Sequence, residues 1–189
     1  MHKALETLLQ SIAPLSSSEM TEILGAFQSS RLKKGDYFLQ SGEVNQRLGF
    51  IVKGLVRYYV FKNDEEATFE FTPEGEFIGD YQSFSKQVPS LQNIQAIEEC
   101  ELLVIDYASV QHVFNHTIHG NLIGRTIIEH RFDVMVNQLL SIYMHNHRER
   151  YERFVKNYGY LNQRIPQYLV ASYVGVKPQS LSRMRRRNF

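Results

Sequence analysis

The hydrophobic pattern changes character partway along the chain. In roughly the first half, short apolar runs are separated by polar turns, and seven of the eleven glycines lie between residues 25 and 79. Phe50–Phe61 reads as two strands joined by a Lys-Gly turn, while Phe69 and Phe71 alternate with polar neighbours. Many short strands without helices between them are typical of an antiparallel barrel or jelly roll. We therefore predict an α+β protein that begins with a small β-barrel.

From about residue 107 the apolar residues recur every three or four positions, as in helices. The clearest seam consists of Ile128, Phe132, Met135, Leu139 and Ile142. It predicts a helix of about 25 residues, and the apolar stripe on such a helix is often a dimer contact, because one barrel cannot cover it all. Packing of the stripe within the same chain is the alternative. A shorter helix is expected to follow and to stop at Gly159.

The most informative segment is 164–187, where two short helices meet at a tight turn. Gly175 supplies the turn, because a positive φ costs little without a Cβ. Pro178 suits the first position of the second helix, where its missing N–H has no helical partner. Leu181 and Met184 are three apart and face the first helix. We therefore predict a helix-turn-helix, and we divide the chain into a barrel at 1–117, a dimerisation helix at 118–145 and a DNA-binding domain at 146–189.

The second helix of such a motif lies in the major groove of DNA, with its N-terminal residues at the base edges. The residues expected to point outward there are Lys177, Gln179, Ser180, Ser182 and Arg183. Gln pairs with adenine and Arg with guanine, whereas the arginines that follow suit phosphates. These phosphate anchors are Arg185, Arg186 and Arg187. The alternative is a helical hairpin with a merely solvated basic end.

Charge is distributed unevenly and supports two modules. The net charge of the 189 residues is +1, but residues 1–120 carry 9 basic and 16 acidic side chains, whereas residues 121–189 carry 12 and 4. A basic C-terminal module suits a polyanion such as DNA. The single cysteine, Cys100, excludes an internal disulfide framework and a four-cysteine metal site, and we expect it to be buried. No apolar run is long enough to span a membrane and the N-terminus lacks a signal peptide, so we expect a cytoplasmic protein.

The order of barrel, long helix, short helix and helix-turn-helix resembles the cyclic-AMP receptor / fumarate–nitrate regulator (Crp/Fnr) superfamily of bacterial transcription factors. The residues that carry the resemblance are Gly35-Asp36 with Gly42-Glu43, the hairpin at 50–57, the segment 75–80 and the terminal helix-turn-helix. The resemblance implies a cyclic-nucleotide-binding-like barrel and a homodimer that joins through the long helix. It also implies double-stranded DNA with an inverted-repeat operator as partner, with RNA polymerase as a further possible partner.

The chain departs from the nucleotide-binding members of that family. Those members carry Gly-Glu and then Arg-Ser around the cyclic phosphate, whereas Gly79-Asp80 and Ser90 stand at these places here, and no residue between Lys86 and Glu101 is basic. Burying a phosphate without a cation is costly. We therefore expect no cyclic nucleotide and no cofactor. A pocket for another small effector would use Gly79, Asp80, Ser90, Arg131 and Met135, and Arg131 could reach Asp80 as a structural ion pair. The chain also reaches little beyond the second helix, so the wing that follows in many relatives is expected to be reduced.

Other groups of residues give weaker indications of a metal site or of catalysis. His112, His116 and His119 are spaced to share one helical face, but no carboxylate or cysteine nearby in sequence completes a metal site, and solvated histidines are commoner. No phosphate-binding loop or nucleophile motif is found, so we expect no enzyme. The rival interpretation is a module that binds a small ligand or a protein and uses its C-terminal hairpin for assembly.

Overall fold

The computed structural model describes residues 2–186. Within them, eight strands form two four-stranded sheets, and every paired neighbour is antiparallel. The strands are β1 Gln28–Leu32, β2 Tyr37–Leu39, β3 Arg47–Lys53, β4 Leu55–Lys62, β5 Glu65–Pro73, β6 Phe77–Ile78, β7 Asn93–Ala96 and β8 Cys100–Asp106. The expected antiparallel barrel is thereby confirmed.

The two sheets run in the orders β1-β8-β3-β6 and β2-β7-β4-β5. Side chains alternate between the faces of a strand, so β4 serves two cores. Val56 and Tyr58 lie in the core between the sheets, whereas Leu55 belongs with Phe71 and Ile97 to a second core on the outer face of the β2-β7-β4-β5 sheet. That outer face is where the C-terminal helices attach.

The helices flank the barrel and then continue beyond it. Their bounds are α1 Lys3–Ile12, α2 Ser17–Gly25, α3 Tyr81–Lys86, α4 Tyr107–His116, α5 Gly120–Met144, α6 His147–Tyr158, α7 Gln167–Val174 and α8 Pro178–Arg186. A core of Leu5, Leu9, Ile23, Phe50 and Ile123 joins α1, α2 and α5 to the other sheet. A Cβ on Gly124 would lie 2.3 Å from the Phe114 ring, so a small residue is required where α4 meets α5.

The predicted seam lies on α5, which has 25 residues. Four of its apolar side chains stay about half exposed: Phe132 (58%), Met135 (58%), Leu139 (53%) and Ile142 (48%). These four side chains are therefore only partly packed within the chain, and their exposed surface is accessible to a partner, whereas Ile128 is half-buried. In the part of the chain that the structure describes, no helix is both long and apolar enough to cross a membrane.

The short helix α6 does not end at a glycine turn. Gly159 has helical angles (φ −56°, ψ −35°) and begins a 3-10 helix, Gly159–Leu161. α6 nevertheless ends at Tyr158 with Gly159 as its C-cap, so the expected stop is confirmed, although the chain tightens there instead of reversing. The tightening places Leu161 in the core that α6 and α7 share with the barrel.

Candidate nucleic-acid interface

The two C-terminal helices meet as the sequence predicts. α7 ends at Gly175, which has φ +84°, and the N–H groups of Gly175 and Val176 both donate to the Ala171 carbonyl. α8 then begins at Pro178. Leu181 is 1% exposed and packs against α7, so one side of α8 is buried in the protein. The opposite side is free to meet a partner.

α6 closes the carbonyl end of α7, where a helix has unpaired acceptors. His147 Nδ1 lies 3.1 Å from the Val174 carbonyl oxygen, and the Arg150 guanidinium donates to the Tyr173 carbonyl. Burial lowers the pKa of Arg150 below its ordinary value. A cationic side chain at this end also interacts favourably with the helix dipole. These contacts hold the turn between α7 and α8 and so help to set the direction of α8.

The open side of α8 is polar and basic. Exposed there are Lys177, Gln179, Ser180, Ser182, Arg183 and Arg186, all from the predicted interface. Arg185 is only half-exposed, because its Nη1 donates to Gln167 Oε1 across the motif at 2.7 Å. Arg187 lies outside the described residues. The role of Gln167 as the acceptor for Arg185 was not predicted from the sequence, because no spacing rule links the first residue of one helix to the penultimate residue of the next.

The helix-turn-helix is docked onto its own barrel through aromatic rings. Phe71 of β5 is 2% exposed, and its ring centroid lies 6.0 Å from that of Phe154 and 5.8 Å from those of Tyr158 and Tyr173. Aromatic contacts of this kind stabilise a core beyond the area they bury. The barrel and the helix-turn-helix therefore share one hydrophobic core.

Polar contacts surround this aromatic cluster. β5 is the edge strand of its sheet, and its Thr68 N–H donates to Ser172 Oγ of α7 at 2.9 Å, while Ser172 Oγ donates to the Glu66 carbonyl at 2.6 Å. Elsewhere on the interface, Arg164 binds both Glu74 and Glu98 of the barrel. α7 thus covers the unpaired edge of the sheet, which would otherwise be open to association.

The predicted effector residues separate into two groups. Asp80 is buried and caps α3, its Oδ1 accepting from the N–H groups of Gln82 and Ser83, while Ser90 Oγ donates to its Oδ2 at 2.7 Å. The Gly79 N–H donates to Tyr58 Oη. The carboxylate of Asp80 thus already takes the amide donors of α3 and the Ser90 hydroxyl.

Arg131 and Met135 lie on α5. The Arg131 guanidinium lies over the ring of Tyr58, whose Oη accepts from the Gly79 N–H. Arg131 Nη1 pairs with Glu70 Oε1 at 2.8 Å, and Thr72 Oγ1 donates to the same oxygen. The expected Arg131–Asp80 pair is therefore wrong, because a buried carboxylate on β5 competes for the guanidinium. Burial disfavours the charged form of Arg131, but the neighbouring Tyr58 and Glu70 outweigh it and raise its pKa. Met135 lies exposed on the seam.

A cleft of about 490 Å³ lies between α1, the turn before β6 and α5. Its walls include Leu8, Ile12 and Ile127, and its polar groups include Glu76, whose Oε2 lies 3.1 Å from His130 Nε2, and Arg131. This volume is in the range of small-molecule sites. The cleft shares only Arg131 with the effector residues predicted from the sequence.

The histidines do not assemble as a metal site. His112 and His116 stack at 4.4 Å on α4, but His119 lies beyond the end of that helix and its Nδ1 is 2.9 Å from Glu19 Oε2. Among residues 2–186 no group of three or more His, Cys, Asp or Glu could hold a metal ion.

Burial raises the pKa of the Cys100 thiol to about 11.

Comparisons with known proteins agree with this architecture. Residues 29–117 match the family model of the cyclic nucleotide-binding domain. CLP of Xanthomonas campestris, described as a c-di-GMP responsive global regulator, has a similar structure (TM-score 0.75, 15% identity, 91% of each chain covered). FixK2 of Bradyrhizobium japonicum gives a TM-score of 0.72 at 12% identity, over 85% of this chain and 83% of that chain.

The catabolite activator protein of Thermus thermophilus gives a TM-score of 0.58 at 18% identity, over 91% of this chain and 83% of that one. A search of curated protein sequences finds no match. The structural likeness shows the fold: a barrel, a long helix and a helix-turn-helix in one chain.

Proposed function

We propose that the chain, of which residues 29–117 match the model of the cyclic nucleotide-binding domain, is a homodimeric transcription regulator of the Crp/Fnr type that reads DNA through α8. The observation that carries the proposal is the division of α8 into a buried apolar side and an exposed basic side. An exposed row of Arg, Lys, Gln and Ser on the second helix of a helix-turn-helix has the chemistry to contact base edges and phosphates.

The roles within α8 follow from exposure and position. Gln179, Ser180 and Arg183 lie in the first two turns and are assigned to base edges, while Arg186 follows them and is assigned to a phosphate. Arg185 bonds to Gln167, so we assign to the two side chains together a backbone contact that fixes the register. Arg187 keeps its sequence-based assignment to a phosphate.

The dimer uses the exposed seam of α5. Four half-exposed apolar side chains at heptad-like spacing suit a second copy of the same helix, and burial of such side chains drives association. Leu139→Arg would place a charge in that contact and should give a monomer in sedimentation velocity. Asn137→Arg, on an exposed position outside the seam, is the matched control and should stay dimeric.

The barrel is the part of the chain to which we assign the binding of a small effector. We keep the barrel as a sensor-like domain at 1–117, the long helix at 118–145 as the dimer contact and 146–189 as the DNA-binding domain. An effector that changes the packing of α5 would act by shifting a population between two dimer geometries. The cleft beside Arg131 contacts α5 directly and is the place we assign to it. RNA polymerase stays a possible partner, and no enzymatic activity is expected.

The test is the binding of labelled duplex DNA by fluorescence anisotropy over a range of salt. Arg186→Ala should weaken binding to all sequences and lower the salt slope by about 1. Arg183→Ala should cost about 1–3 kcal/mol at the preferred sequence. Lys33→Ala removes one positive charge from an exposed loop of the barrel and should leave both the DNA affinity and the salt slope unchanged. Equal DNA affinity and equal salt slope in all three variants would refute the assignment of α8 as the DNA-contacting helix.

The rival function, a ligand or protein module whose C-terminal hairpin serves assembly, makes different predictions. It requires that DNA affinity be absent at low salt. It also requires that changes in α8 alter the oligomeric state, which Arg183→Ala leaves intact under our proposal. Sedimentation of that variant distinguishes the two.

A further inference from the structure

Two of the polar contacts that the long helix α5 makes with the rest of its own protomer are spaced seven residues apart. Arg131 pairs with Glu70 of the barrel, and Gln138 bonds to the helix-turn-helix. Seven residues are close to two turns of helix, so both side chains project from nearly the same side of α5. Arg131 is four residues from Met135 and Gln138 is four residues from Ile142, so this polar row runs directly beside the exposed seam.

Both the nitrogen and the oxygen of the Gln138 side-chain amide form hydrogen bonds. Its Nε2 donates to Tyr158 Oη at 3.0 Å, and Tyr173 Oη donates to its Oε1 at 3.0 Å. The two tyrosines are 8% and 3% exposed, and burial raises the pKa of each above its ordinary value, so both hydroxyls stay protonated. A buried hydroxyl without a partner is costly, which holds the amide in this one orientation.

The contact joins α5 to two helices of the proposed DNA-binding domain. Tyr158 is the last residue of α6, Tyr173 lies on α7 and Gln138 lies on α5, next to the seam residue Leu139. Ser172, Arg164 and the aromatic cluster around Phe71 hold the same domain against the barrel rather than against α5, and the burial in that cluster has no preferred direction. The two hydrogen bonds of Gln138 do have a preferred direction. They therefore add an angular constraint that apolar packing does not supply.

We propose that Gln138 is the positioning residue that fixes the direction of α8 relative to the dimer seam, and so sets the spacing at which two copies of α8 meet DNA. This inference rests on the proposed function for its consequence on DNA. Its structural core, a fixed angle between α5 and the helix-turn-helix, can be measured without DNA. Gln138 touches no nucleic acid in this account and acts only through Tyr158 and Tyr173.

The first test measures a distance between two spin labels by pulsed electron spin resonance. The labels are attached after Arg125→Cys on α5 and Asn162→Cys beyond α6, both at exposed positions, and Cys100 is fully buried and left in place. Dilution with unlabelled protein restricts the signal to one protomer. Gln138→Leu should broaden the distance distribution at least twofold, whereas Asn137→Ala, whose side chain bonds only within α5, should leave it unchanged.

An unchanged distribution in folded Gln138→Leu would overturn the inference. Should that variant fail to fold, Tyr173→Phe keeps the ring and removes one of the two hydrogen bonds, and it should give an intermediate broadening. Absence of any broadening in Tyr173→Phe would then overturn the inference in the same way.

The second test selects binding sites from random duplex DNA. The parent protein should prefer one spacing between half-sites, and Gln138→Leu should accept several spacings at a dimer content equal to that of the parent. Retention of a single spacing would contradict the inference. If the parent protein bound no DNA, the proposed function would fail while the distance measurement still decided the role of Gln138.

Discussion

Removal of the Phe71 ring is the sharpest perturbation of the shared core. The ring is 2% exposed and lies within 6.0 Å of three other aromatic rings, two of α6 and one of α7. Truncation of a buried phenylalanine to alanine costs about 3–5 kcal/mol, through lost burial and a residual cavity. Because three aromatic partners lose their contact at once, we expect Phe71→Ala to lie in the upper part of this range.

The assay is urea denaturation followed by circular dichroism, with the free energy of unfolding extrapolated to water. Phe61→Ala is the control, because Phe61 is 62% exposed on the neighbouring strand and its loss should change stability by less than about 0.5 kcal/mol. A cost below about 1 kcal/mol for Phe71→Ala would refute the conclusion that the barrel and the helix-turn-helix share one core.

Three further predictions follow from buried charges and from the thiol. Arg131→Met leaves the Glu70 carboxylate buried without its partner and should cost about 3–5 kcal/mol in urea denaturation, and adding Glu70→Gln should recover part of that loss. Burial favours the neutral acid of Glu19, but the hydrogen bonds and charge of His119 outweigh it and lower the pKa of Glu19. The folded state then binds fewer protons than the unfolded chain, so this stability is present above the ordinary pKa of a glutamate and is lost as the pH falls through the lowered pKa of the folded state. Glu19→Gln should flatten this loss in a pH series of thermal melts. Cys100, with its pKa raised to about 11, should react with a thiol reagent at neutral pH only after unfolding, and rapid labelling of the folded protein would contradict its burial.

Much of the architecture could be predicted from the sequence, because it rests on local periodicity. The alternation around Phe69 and Phe71 indicates strands, and the three-and-four spacing on α5 indicates a long helix. The positive φ of Gly175 and the place of Pro178 at the start of α8 follow from backbone chemistry alone.

The contacts between distant elements could not be predicted in this way. Arg131 pairs with Glu70 rather than with Asp80, and sequence spacing carries no information on which of two buried carboxylates a guanidinium reaches. The docking of Ser172 on the edge of β5 joins residues more than 100 positions apart. Similarly, the Arg185–Gln167 bond depends on the angle between two helices, which is set by packing rather than by any repeat.

Sequence-specific DNA recognition by α8 of a symmetric dimer is tested most directly by selection from a random pool of duplex DNA with the purified protein. The predicted result is enrichment of an inverted repeat whose half-sites lie about one helical turn, ~34 Å, apart, with binding that weakens as salt rises. A pool that shows no enriched sequence, together with no retention of DNA at low salt, would contradict the account.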